Sequence, residues 1–599
     1  MGATVADIRV AADESIDAGR IVIVLEAMKM LHELRTELPV RVASINVEVG
    51  ELVPAGELLM VLVPTESDLS AADADAHEAP GGAPAARTSL DEVRERLACT
   101  EDAQRGDAVA RRHALGMRTA RENIADLCDA GSFVEYGALA VAAQRRRRSL
   151  DDLVRNTPAD GMVTGIGSVN GGQFGEERAR CVVMAYDATV LAGTQGMNNH
   201  QKTDRMLGIA LEQGLPVVLF AEGGGGRPGD VDAPVVAGLH LSTFASYARL
   251  SGRVPLIGIA AGRCFAGNAA LLGCSDVIIA TRRSNIGMGG PAMIEGGGLG
   301  VYTPEQIGPS DVQSSNGVVD LLVEDEVEAV RVAKRYLGYW QGRTERWTAA
   351  DQARLRDVLP AGRNVSYRMN DVLGLLFDIE SVLEVRSGFG VGIVTALARV
   401  EGRPVGVLAN NPMHLGGAID AAAADKAARF MSLCDSYGLP IVALIDTPGF
   451  MVGPAIEEQA QVRHVSRLFL HAAHLRVPYL AVVLRKGYGL GAMAMAGGGF
   501  HVPVATVAWP SGEFGAMGIE GSVKLGFSKE LAAAPDAAAR DQLFRDLVEQ
   551  VAERGRAINM ASLLEIDAVI DPADTRSWIS RVLAAAKVRD RGNRPVDSW

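Results

Sequence analysis

The chain has 599 residues, a formal net charge of −14 and 48% apolar residues. That length predicts several domains, and the acidic balance argues against nucleic acid or an anionic membrane surface as the main partner. No apolar run is long enough to predict a membrane-spanning helix. The six cysteines are scattered, without zinc-ligand spacing, and the chain opens without a secretory-signal pattern. We therefore expect reduced thiols, no metal site and a cytoplasmic protein.

The first 63 residues contain two copies of a turn-plus-strand pattern. Residues 14–26 can be aligned with residues 51–63, and each copy has an Ala-Gly turn before an apolar strand. This repeat predicts two small antiparallel sheets related by a pseudo-twofold axis, with Lys29 near the hairpin that joins them. Lys29 stands between two methionines, so it is either an attachment point or an exposed surface lysine.

The sequence Glu-Ala-Met-Lys-Met at residues 26–30 is the signature that biotinyl (biotin carboxyl carrier) domains present on an exposed hairpin, and residues 1–63 resemble such a domain. The resemblance implies biotin attached covalently to Lys29 by a biotin protein ligase, with Met28 and Met30 flanking the attachment site. A lipoyl carrier, whose lysine usually lacks the flanking methionines, and an unmodified surface lysine are the alternatives.

Residues 64–88 are rich in Ala, Asp, Glu, Gly and Pro, with almost no large apolar residue, which predicts a flexible linker. A flexible chain of roughly 25 residues has an r.m.s. span on the order of 25–30 Å, so it can carry a tethered group between distant sites. Residues 89–129 are predicted to be helical with a charged outer face. The charged residues of that face are Glu95, Arg96, Arg111, Arg112, Arg118 and Arg121.

From Gly161 onward, short apolar strands alternate with helical stretches, which predicts α/β layers. The predicted strands are 181–186, 216–220, 255–260 and 276–280 in a first set, and 404–409, 440–445, 478–484 and 502–507 in a second. The two sets superpose at an offset of about 224, which places Lys202 on Lys426. A duplication of this length predicts two homologous domains, 89–355 and 356–599, with the active site at a shared interface.

Each set also contains a glycine-rich turn directly after a strand and before a small-residue helix. Residues 262–269 align with residues 485–492 at an offset of 223. Such a turn presents unpaired backbone N–H groups, and the helix dipole favours negative charge there. The sequence therefore predicts two anion holes, with plain strand-to-helix turns as the alternative.

Several long motifs lie around these turns: residues 446–450 and 485–491 in the second set, and residues 220–229 and 287–291 in the first. Through them, residues 90–599 resemble the carboxyltransferase component of biotin-dependent acyl-CoA carboxylases, and the first half resembles that of single-chain, long-chain-type enzymes. The resemblance implies an α/β fold of two tandem crotonase-like domains after the small all-β carrier. It also implies a homo-hexamer with active sites between protomers.

The resemblance assigns the backbone amides of Gly267 and Asn268 to the thioester oxygen of an acyl-CoA, and those of Leu490 and Gly491 to the ureido oxygen of biotin. In the family, carboxybiotin releases CO2, the biotin enolate takes the α proton of the acyl-CoA, and the acyl-CoA enolate attacks CO2. Both enolates need donors aimed at an oxyanion. No side-chain base is then required.

The loop after residues 217–220 is a further candidate region. It lacks the Gly-Lys-Ser/Thr ending of a nucleoside-triphosphate loop, so Gly224 and Gly225 are predicted to lie beside CoA, with Arg227 as a phosphate contact. Met493 lies where family members tune acyl-chain preference, and an ordinary core methionine is the alternative.

Together these features imply a carrier-plus-carboxyltransferase subunit that transfers CO2 from carboxybiotin on Lys29 to the α or vinylogous carbon of an acyl-CoA. Nothing in the sequence resembles the machinery that makes carboxybiotin from ATP and bicarbonate, so ATP and Mg²⁺ are expected only in a separate biotin carboxylase subunit. The alternatives are a biotin-dependent decarboxylase component coupled to a membrane sodium pump, and a non-catalytic carrier or acyl-CoA-binding scaffold.

Overall fold

A computed structural model of the chain describes residues 2–27, 30–65, 85–227, 229–232, 237–363, 365–589, 594–597 and 599. The chain divides into two compact units, Met1–Thr88 and Ser89–Trp599. Both predicted transferase domains fall within the second unit, and the boundary between residues 355 and 356 stays a prediction.

The first unit is an all-β domain of two small sheets. Its strands are β1 (Ala3–Ile8), β2 (Ser15–Ile16), β3 (Ile21–Ala27), β4 (Met30–Arg35), β5 (Val40–Ile45), β6 (Leu52–Val53) and β7 (Met60–Pro64). One sheet has the order β4-β3-β1-β6 and the other β2-β5-β7, and all pairs are antiparallel. Alternating apolar residues bury Val5, Ile23 and Val53 in one core and Val22 and Val42 in another. The predicted pair of antiparallel sheets is confirmed.

Helices occupy the start of the second unit, as predicted, and the first of them begins just before the boundary between the units. They are α1 (Ala85–Ala98), α2 (Gly106–Ala114) and α3 (Ala120–Leu127). Thr119 and Glu122 form a capping box at the start of α3, where each side chain accepts a hydrogen bond from the other's backbone N–H. Since β7 includes Pro64 and α1 begins at Ala85, regular structure occupies both ends of the predicted linker; residues 66–84 lie outside the described residues.

The first half of the transferase unit continues with one strand or helix after another. Its elements are β8 (Val134–Glu135), α4 (Leu150–Asn156), β9 (Met162–Ser168), α5 (Gly171–Phe174), α6 (Glu176–Ala179), β10 (Arg180–Tyr186), α7 (Met197–Gln213), β11 (Val217–Phe220), β12 (Gly223–Gly224), α8 (Thr243–Ala248), β13 (Leu256–Ala260), β14 (Arg263–Phe265), α9 (Gly267–Gly273), β15 (Val277–Thr281), β16 (Asn285–Gly287), α10 (Pro291–Gly296), α11 (Ser310–Ser315), β17 (Leu321–Val323) and α12 (Glu326–Gln341).

The second half repeats this succession. Its elements are α13 (Met369–Leu376), β18 (Leu383–Val385), β19 (Ile393–Val400), β20 (Arg403–Asn410), α14 (Ala421–Tyr437), β21 (Ile441–Thr447), α15 (Pro454–Glu457), α16 (Gln461–Ala473), β22 (Tyr479–Tyr488), α17 (Gly489–Met495), β23 (Ala505–Ala508), β24 (Glu513–Gly515), α18 (Ile519–Gly526), α19 (Ser528–Ala532), α20 (Ala537–Arg554), α21 (Ala557–Ser562), β25 (Ala568–Val569) and α22 (Thr575–Ala585). Within the described ranges, no helix is both long and apolar enough to cross a bilayer.

The two halves have the same sheet topology. The first sheet has the order β17-β15-β13-β11-β10-β9-β8, and the second has β25-β23-β22-β21-β20-β19-β18. In each sheet the strand next to the first edge strand, β9 or β19, runs antiparallel to both of its neighbours, and all later pairs are parallel. Helices cover both faces, so the central strands are apolar along their whole length. The predicted α/β fold of two tandem domains is confirmed.

All eight predicted strands are present to within a few residues. The largest difference is β22, which continues beyond Leu484 to Tyr488 because its last residues pair with β24. In the first half the residues that correspond to this extension form a separate small sheet, β12-β14-β16. In both halves these extensions carry the chain to the start of a helix, α9 or α17.

Lys202 on α7 and Lys426 on α14 occupy matching positions but differ in their contacts. The Lys202 ammonium donates hydrogen bonds to the carbonyl oxygens of Ala159, at 2.9 Å, and Met162, at 2.5 Å. Lys426 is 1% exposed, and its Nζ has no hydrogen-bond partner among the described residues. Burial lowers the pKa of each lysine from its usual value to about 8.

Replacing each lysine with methionine distinguishes the hydrogen-bonded ammonium of Lys202 from the unpartnered ammonium of Lys426. Lys202→Met leaves two buried carbonyls without a donor and is expected to destabilise the protein by about 2–4 kcal/mol. Lys426→Met removes an unpaired buried ammonium and is expected to be neutral or to stabilise by about 1 kcal/mol. Thermal unfolding of the two variants beside the wild type measures both effects, and equal losses would contradict the assignment.

The same lysines predict how stability depends on pH. Because the unfolded chain holds these protons up to the ordinary lysine pKa while the folded chain releases them near pH 8, the unfolded state binds more protons between about pH 8 and pH 10.5. The free energy of unfolding is therefore expected to rise with pH in this window. Lys426→Met is expected to weaken that rise, which chemical denaturation at several pH values measures.

Candidate active site

The first predicted anion hole lies between β14 and α9. Ala266, the residue before the helix, has φ of 51° and ψ of −122°, which costs a non-glycine residue backbone strain. Its N–H donates to the Gly287 carbonyl, at 3.0 Å, and its own carbonyl accepts from Ala270, at 2.9 Å. Within the described part of the chain, the amides of Gly267 and Asn268 have no acceptor. Both predicted donors are therefore available at this turn.

The Asn268 side chain holds this turn against two neighbouring loops. It is fully buried, and its Nδ2 donates to the carbonyl oxygens of Gly193, at 3.1 Å, and Glu222, at 2.7 Å. Its Oδ1 has no partner among the described residues. The sequence predicted only a backbone role for Asn268, whereas the structure adds this positioning role.

Gly267 is packed closely against Gln195. A Cβ at Gly267 would lie 2.1 Å from Gln195 Oε1. The same Gln195 side chain is fixed by a hydrogen bond from its Nε2 to the Tyr186 hydroxyl, at 2.9 Å. Burial raises the pKa of Tyr186, so this hydroxyl stays protonated. Gln195 is a second positioning residue that no motif in the sequence indicated.

The second predicted anion hole lies between β22 and α17. Gly489 has φ of 58° and falls on Ala266 at the offset of 223, so both turns have a residue with positive φ at the same position. The amides of Leu490 and Gly491 have no acceptor in the described ranges. The Leu490 side chain is 62% exposed. A Cβ at Gly491 would lie 2.7 Å from Gly449 Cα, so the motif at residues 446–450 packs directly on this turn.

A carboxylate stands beside each turn at matching positions, and it is 13% exposed in Glu222 and fully buried in Asp446. Glu222 accepts two hydrogen bonds from Arg112, at 2.6 and 2.5 Å, and Asp446 accepts one from Arg485 Nε, at 3.2 Å. Burial raises the pKa of Glu222, and the Arg112 guanidinium opposes that shift. Each carboxylate is occupied by its arginine, and neither is free to act as a base.

Arg112 was predicted on a charged outer face, and that prediction is wrong. Its side chain is 9% exposed, because it packs against Glu222 as the ion-pair partner of that carboxylate. In the second half, Arg485 is the corresponding partner of Asp446. The position that matches Arg485 in the first half is Gly262, where a Cβ would lie 2.4 Å from Glu222 Oε1. The offset of 224 aligns Glu222 with Asp446, and this alignment is the sequence signal that could have identified the two carboxylates as counterparts.

The glycine loop after β11 packs on the first turn. Gly224 pairs with Phe265 of β14, and the Gly225 N–H donates to the Phe265 carbonyl, at 3.3 Å. The Gly225 carbonyl accepts from the N–H of Gln195, at 2.8 Å. The loop therefore approaches the turn closely, and its proximity to CoA stays a prediction.

The phosphate contact predicted for Arg227 is not supported. Its side chain is 5% exposed and forms ion pairs with Asp160 and, at 3.5 Å, Asp230. Its Nη2 donates to the Thr194 carbonyl, at 2.8 Å. Because two carboxylates and a carbonyl already occupy this guanidinium, it holds the loop in place instead.

The remaining predicted residues lie on α17 and on the carrier. Met493 is 39% exposed, so it is not an ordinary core methionine. On the carrier, Met30 begins β4 and is 59% exposed. Met28 and Lys29 lie outside the described residues.

Comparison with protein families decides the identity of both units. The model of the carboxyl transferase domain matches residues 111–597, and the model of biotin-requiring enzymes matches residues 1–62. The chain belongs to the carboxyl transferase family. It therefore joins a carrier of the biotin-requiring type to a carboxyl transferase.

Three relatives illustrate the family. This carboxyl transferase is 34% identical over 504 residues to the methylmalonyl-CoA carboxyltransferase 12S subunit of Propionibacterium freudenreichii subsp. shermanii, covering 82% of this chain and 92% of that protein. It matches a solved single-chain, multi-domain long-chain acyl-CoA carboxylase with a TM-score of 0.79 and 53% identity, covering 97% of this chain and 55% of that one. It matches a hexameric transcarboxylase 12S structure, determined with methylmalonyl-CoA and methylmalonic acid bound, with a TM-score of 0.73 and 30% identity, over 87% of this chain and all of that one.

Two neighbouring substitutions in this carboxyl transferase distinguish backbone from side-chain roles. Gly491→Ala forces a methyl group against Gly449 and is expected to displace the turn and lower kcat on the order of 10²-fold. Leu490→Ala removes only an exposed side chain and keeps the donor N–H, so kcat is expected to change little. Steady-state carboxyl transfer measures both, and an equal loss in the two variants would show that the Leu490 side chain itself matters.

Proposed function

We propose that this chain moves a carboxyl group between biotin on Lys29 and the α or vinylogous carbon of an acyl-CoA. The observation that carries the proposal is the pair of matching turns, each with two free backbone amides, in a chain that also has a biotin-type carrier. Two relatives support the acyl-CoA substrate, since one is a long-chain acyl-CoA carboxylase and the other binds methylmalonyl-CoA.

The described part of the carrier fits biotin at Lys29. Strand β3 ends at Ala27 and antiparallel β4 begins at Met30, and these two residues pair across the hairpin. Met30 and Leu31 are 59% and 66% exposed, so this end of the sheet is open to a partner surface. When bound there, biotin supplies the transferable carboxyl group.

Each turn stabilises the negative charge of a different reacting molecule. In this proposal the amides of Gly267 and Asn268 hold the thioester oxygen of the acyl-CoA, and those of Leu490 and Gly491 hold the ureido oxygen of biotin. Preorganised donors of this kind are typically worth on the order of 10²–10³ in rate each. The Asn268 side chain fixes the first pair of donors before substrate arrives.

The neighbouring carboxylates position the turns and do not exchange protons with substrate. Glu222 is bound by Arg112, and its carbonyl accepts from Asn268. Asp446 is bound by Arg485 and accepts from the Lys486 N–H, at 3.1 Å. We therefore assign the proton and carboxyl movements to the two reacting molecules, with the protein supplying orientation and oxyanion donors.

We propose further that a biotin protein ligase modifies Lys29 and that a separate biotin carboxylase subunit, which uses ATP and Mg²⁺, loads the carrier in the cytoplasm. A homo-hexamer is the proposed assembly, in line with the hexameric 12S relative.

The reverse reaction tests this function without a partner subunit. Purified wild-type protein is incubated with free biotin and a panel of carboxylated acyl-CoAs, and each acyl-CoA is followed by mass spectrometry. Decarboxylation of at least one panel member is expected. Gly491→Pro, which removes a donor N–H, is expected to abolish turnover while acyl-CoA binding is retained.

Lys29→Arg is the matched control. It is expected to keep the reaction with free biotin but to lose carboxylation that depends on the carrier. If Gly491→Pro and the wild type bound acyl-CoA equally and neither turned it over, the non-catalytic scaffold would be the better reading. Turnover that requires a membrane fraction would favour the sodium-pump decarboxylase.

A further inference from the structure

A cavity opens at the amino end of the first-half sheet, on the side away from the first turn. Its volume is about 850 Å³, within the roughly 300–1,000 Å³ that is typical of small-molecule sites. Three of its lining residues stand where parallel strands start: Arg180 begins β10, Pro216 precedes β11 and Pro255 precedes β13. The first turn follows the opposite end of β13, whose length is about 13 Å between its first and last Cα atoms. The cavity is therefore separate from the proposed reaction site.

Half-buried apolar residues form one wall of the cavity. They are Ile166, Leu215, Pro216, Pro255 and Trp340. Ile166 and Leu215 also pack on the buried core of the first half. The Trp340 ring contacts the rings of Tyr336 and Tyr437, with centroid distances of 5.5 and 5.3 Å. A wall whose side chains are already fixed can bury an aliphatic chain with little further loss of side-chain freedom.

Two arginines supply positive charge beside this wall. Arg178 and Arg180 are exposed lining residues, and among the described residues neither has a carboxylate within ion-pair distance. Arg178 Nη1 donates one long hydrogen bond, 3.4 Å, to the carbonyl of Gln341, so its other donors stay available. Glu177 is the acidic residue in the lining. The lining thus has one surplus positive charge, on planar guanidinium groups that match the geometry of a carboxylate.

The duplication supplies an internal comparison for these arginines. At the offset of 224, Arg178 and Arg180 fall on Gly402 and Pro404. Neither of these second-half residues can bind an anion through its side chain. The shared fold therefore does not require a cation at either position, and the charge is a feature of the first half alone.

The same comparison shows that the open edge belongs to the first half. Leu215 falls on Leu439, which is only 4% exposed. Pro255 is half-buried, whereas its counterpart at the offset of 223, Pro478, is buried. Apolar residues that are covered in one copy thus remain accessible in the other, beside the two arginines.

We propose that this cavity binds an aliphatic carboxylate, with its carboxyl group on Arg178 and Arg180 and its chain along the apolar wall. A neutral lipid would leave the guanidinium groups unmatched, and a small polar anion would leave the wall uncovered. An amphipathic anion satisfies both parts of the lining. The proposal does not depend on carboxyl transfer, because the cavity lies at the other end of the strands from the first turn.

Isothermal titration of the full-length protein with decanoate tests the site. The wild type is expected to bind one decanoate per chain, and Arg178→Gln and Arg180→Gln are each expected to weaken binding on the order of tenfold. Arg403→Gln is the matched control, because Arg403 begins β20, the second-half counterpart of β10, and does not line the cavity. This control is expected to match the wild type. Thermal unfolding checks that each variant is folded.

Two further ligands separate the charged contact from the apolar one. Decanol has the chain without the charge, so it is expected to bind more weakly than decanoate and equally to the wild type and the two cavity variants. Butanoate has the charge with a shorter chain. It is expected to lose about fourfold in affinity for each methylene that is no longer buried.

Equal decanoate binding by the wild type and both cavity variants would overturn the proposal. Equal affinity of the wild type for decanol and decanoate, or no binding of decanoate at all, would also overturn it. Displacement of decanoate by decanoyl-CoA through the same arginines would assign the cavity to an acyl-CoA and overturn the choice of a free carboxylate. These titrations do not measure carboxyl transfer, so their failure would leave the proposed function standing.

Discussion

A negatively charged oxygen is best met by backbone amides that are already in place, and each transferase half has two amides at the start of a helix that lack an acceptor among the described residues. Amides left unpaired for a ligand forgo a hydrogen bond that would otherwise stabilise the fold, a cost of roughly 1–3 kcal/mol for a buried donor. The strained backbone of Ala266 adds to that cost. The parallel sheets and their buried helices provide the rigidity that holds both turns in this conformation.

The two halves hold these turns in place with different residues. In the first half the Asn268 side chain reaches two carbonyls, whereas in the second the main chain of Gly449 packs directly on Gly491. The cation beside the buried carboxylate comes from helix α2 in one half and from the strand itself in the other. Duplication therefore preserved the backbone path and the position of the acid, while the side chains that support them diverged.

Much of this arrangement could be predicted from the sequence because it is local. Short apolar runs located the strands, and the aligned glycine-rich turns located the two helix starts where four amides lack an acceptor among the described residues. What the sequence did not show concerns arginines whose partners are distant in the chain: Glu222 is 110 residues from Arg112, and Asp160 is 67 residues from Arg227. A sequence pattern shows that a residue is charged, but burial beside a remote carboxylate depends on tertiary packing, which local periodicity does not encode.

The exposure of Leu490 has a consequence for how such an enzyme can change. Its N–H is a proposed catalytic group, yet its side chain points away from the packed core and is 62% exposed. The backbone N–H of Leu490 is thus the proposed donor, while its side chain shapes the surrounding surface. Substitution at this position can reshape the surface that a substrate or carrier meets without removing the donor, so selectivity can evolve while the reaction is conserved. Conversely, replacing the peptide bond by an ester would remove the donor and leave every side chain intact.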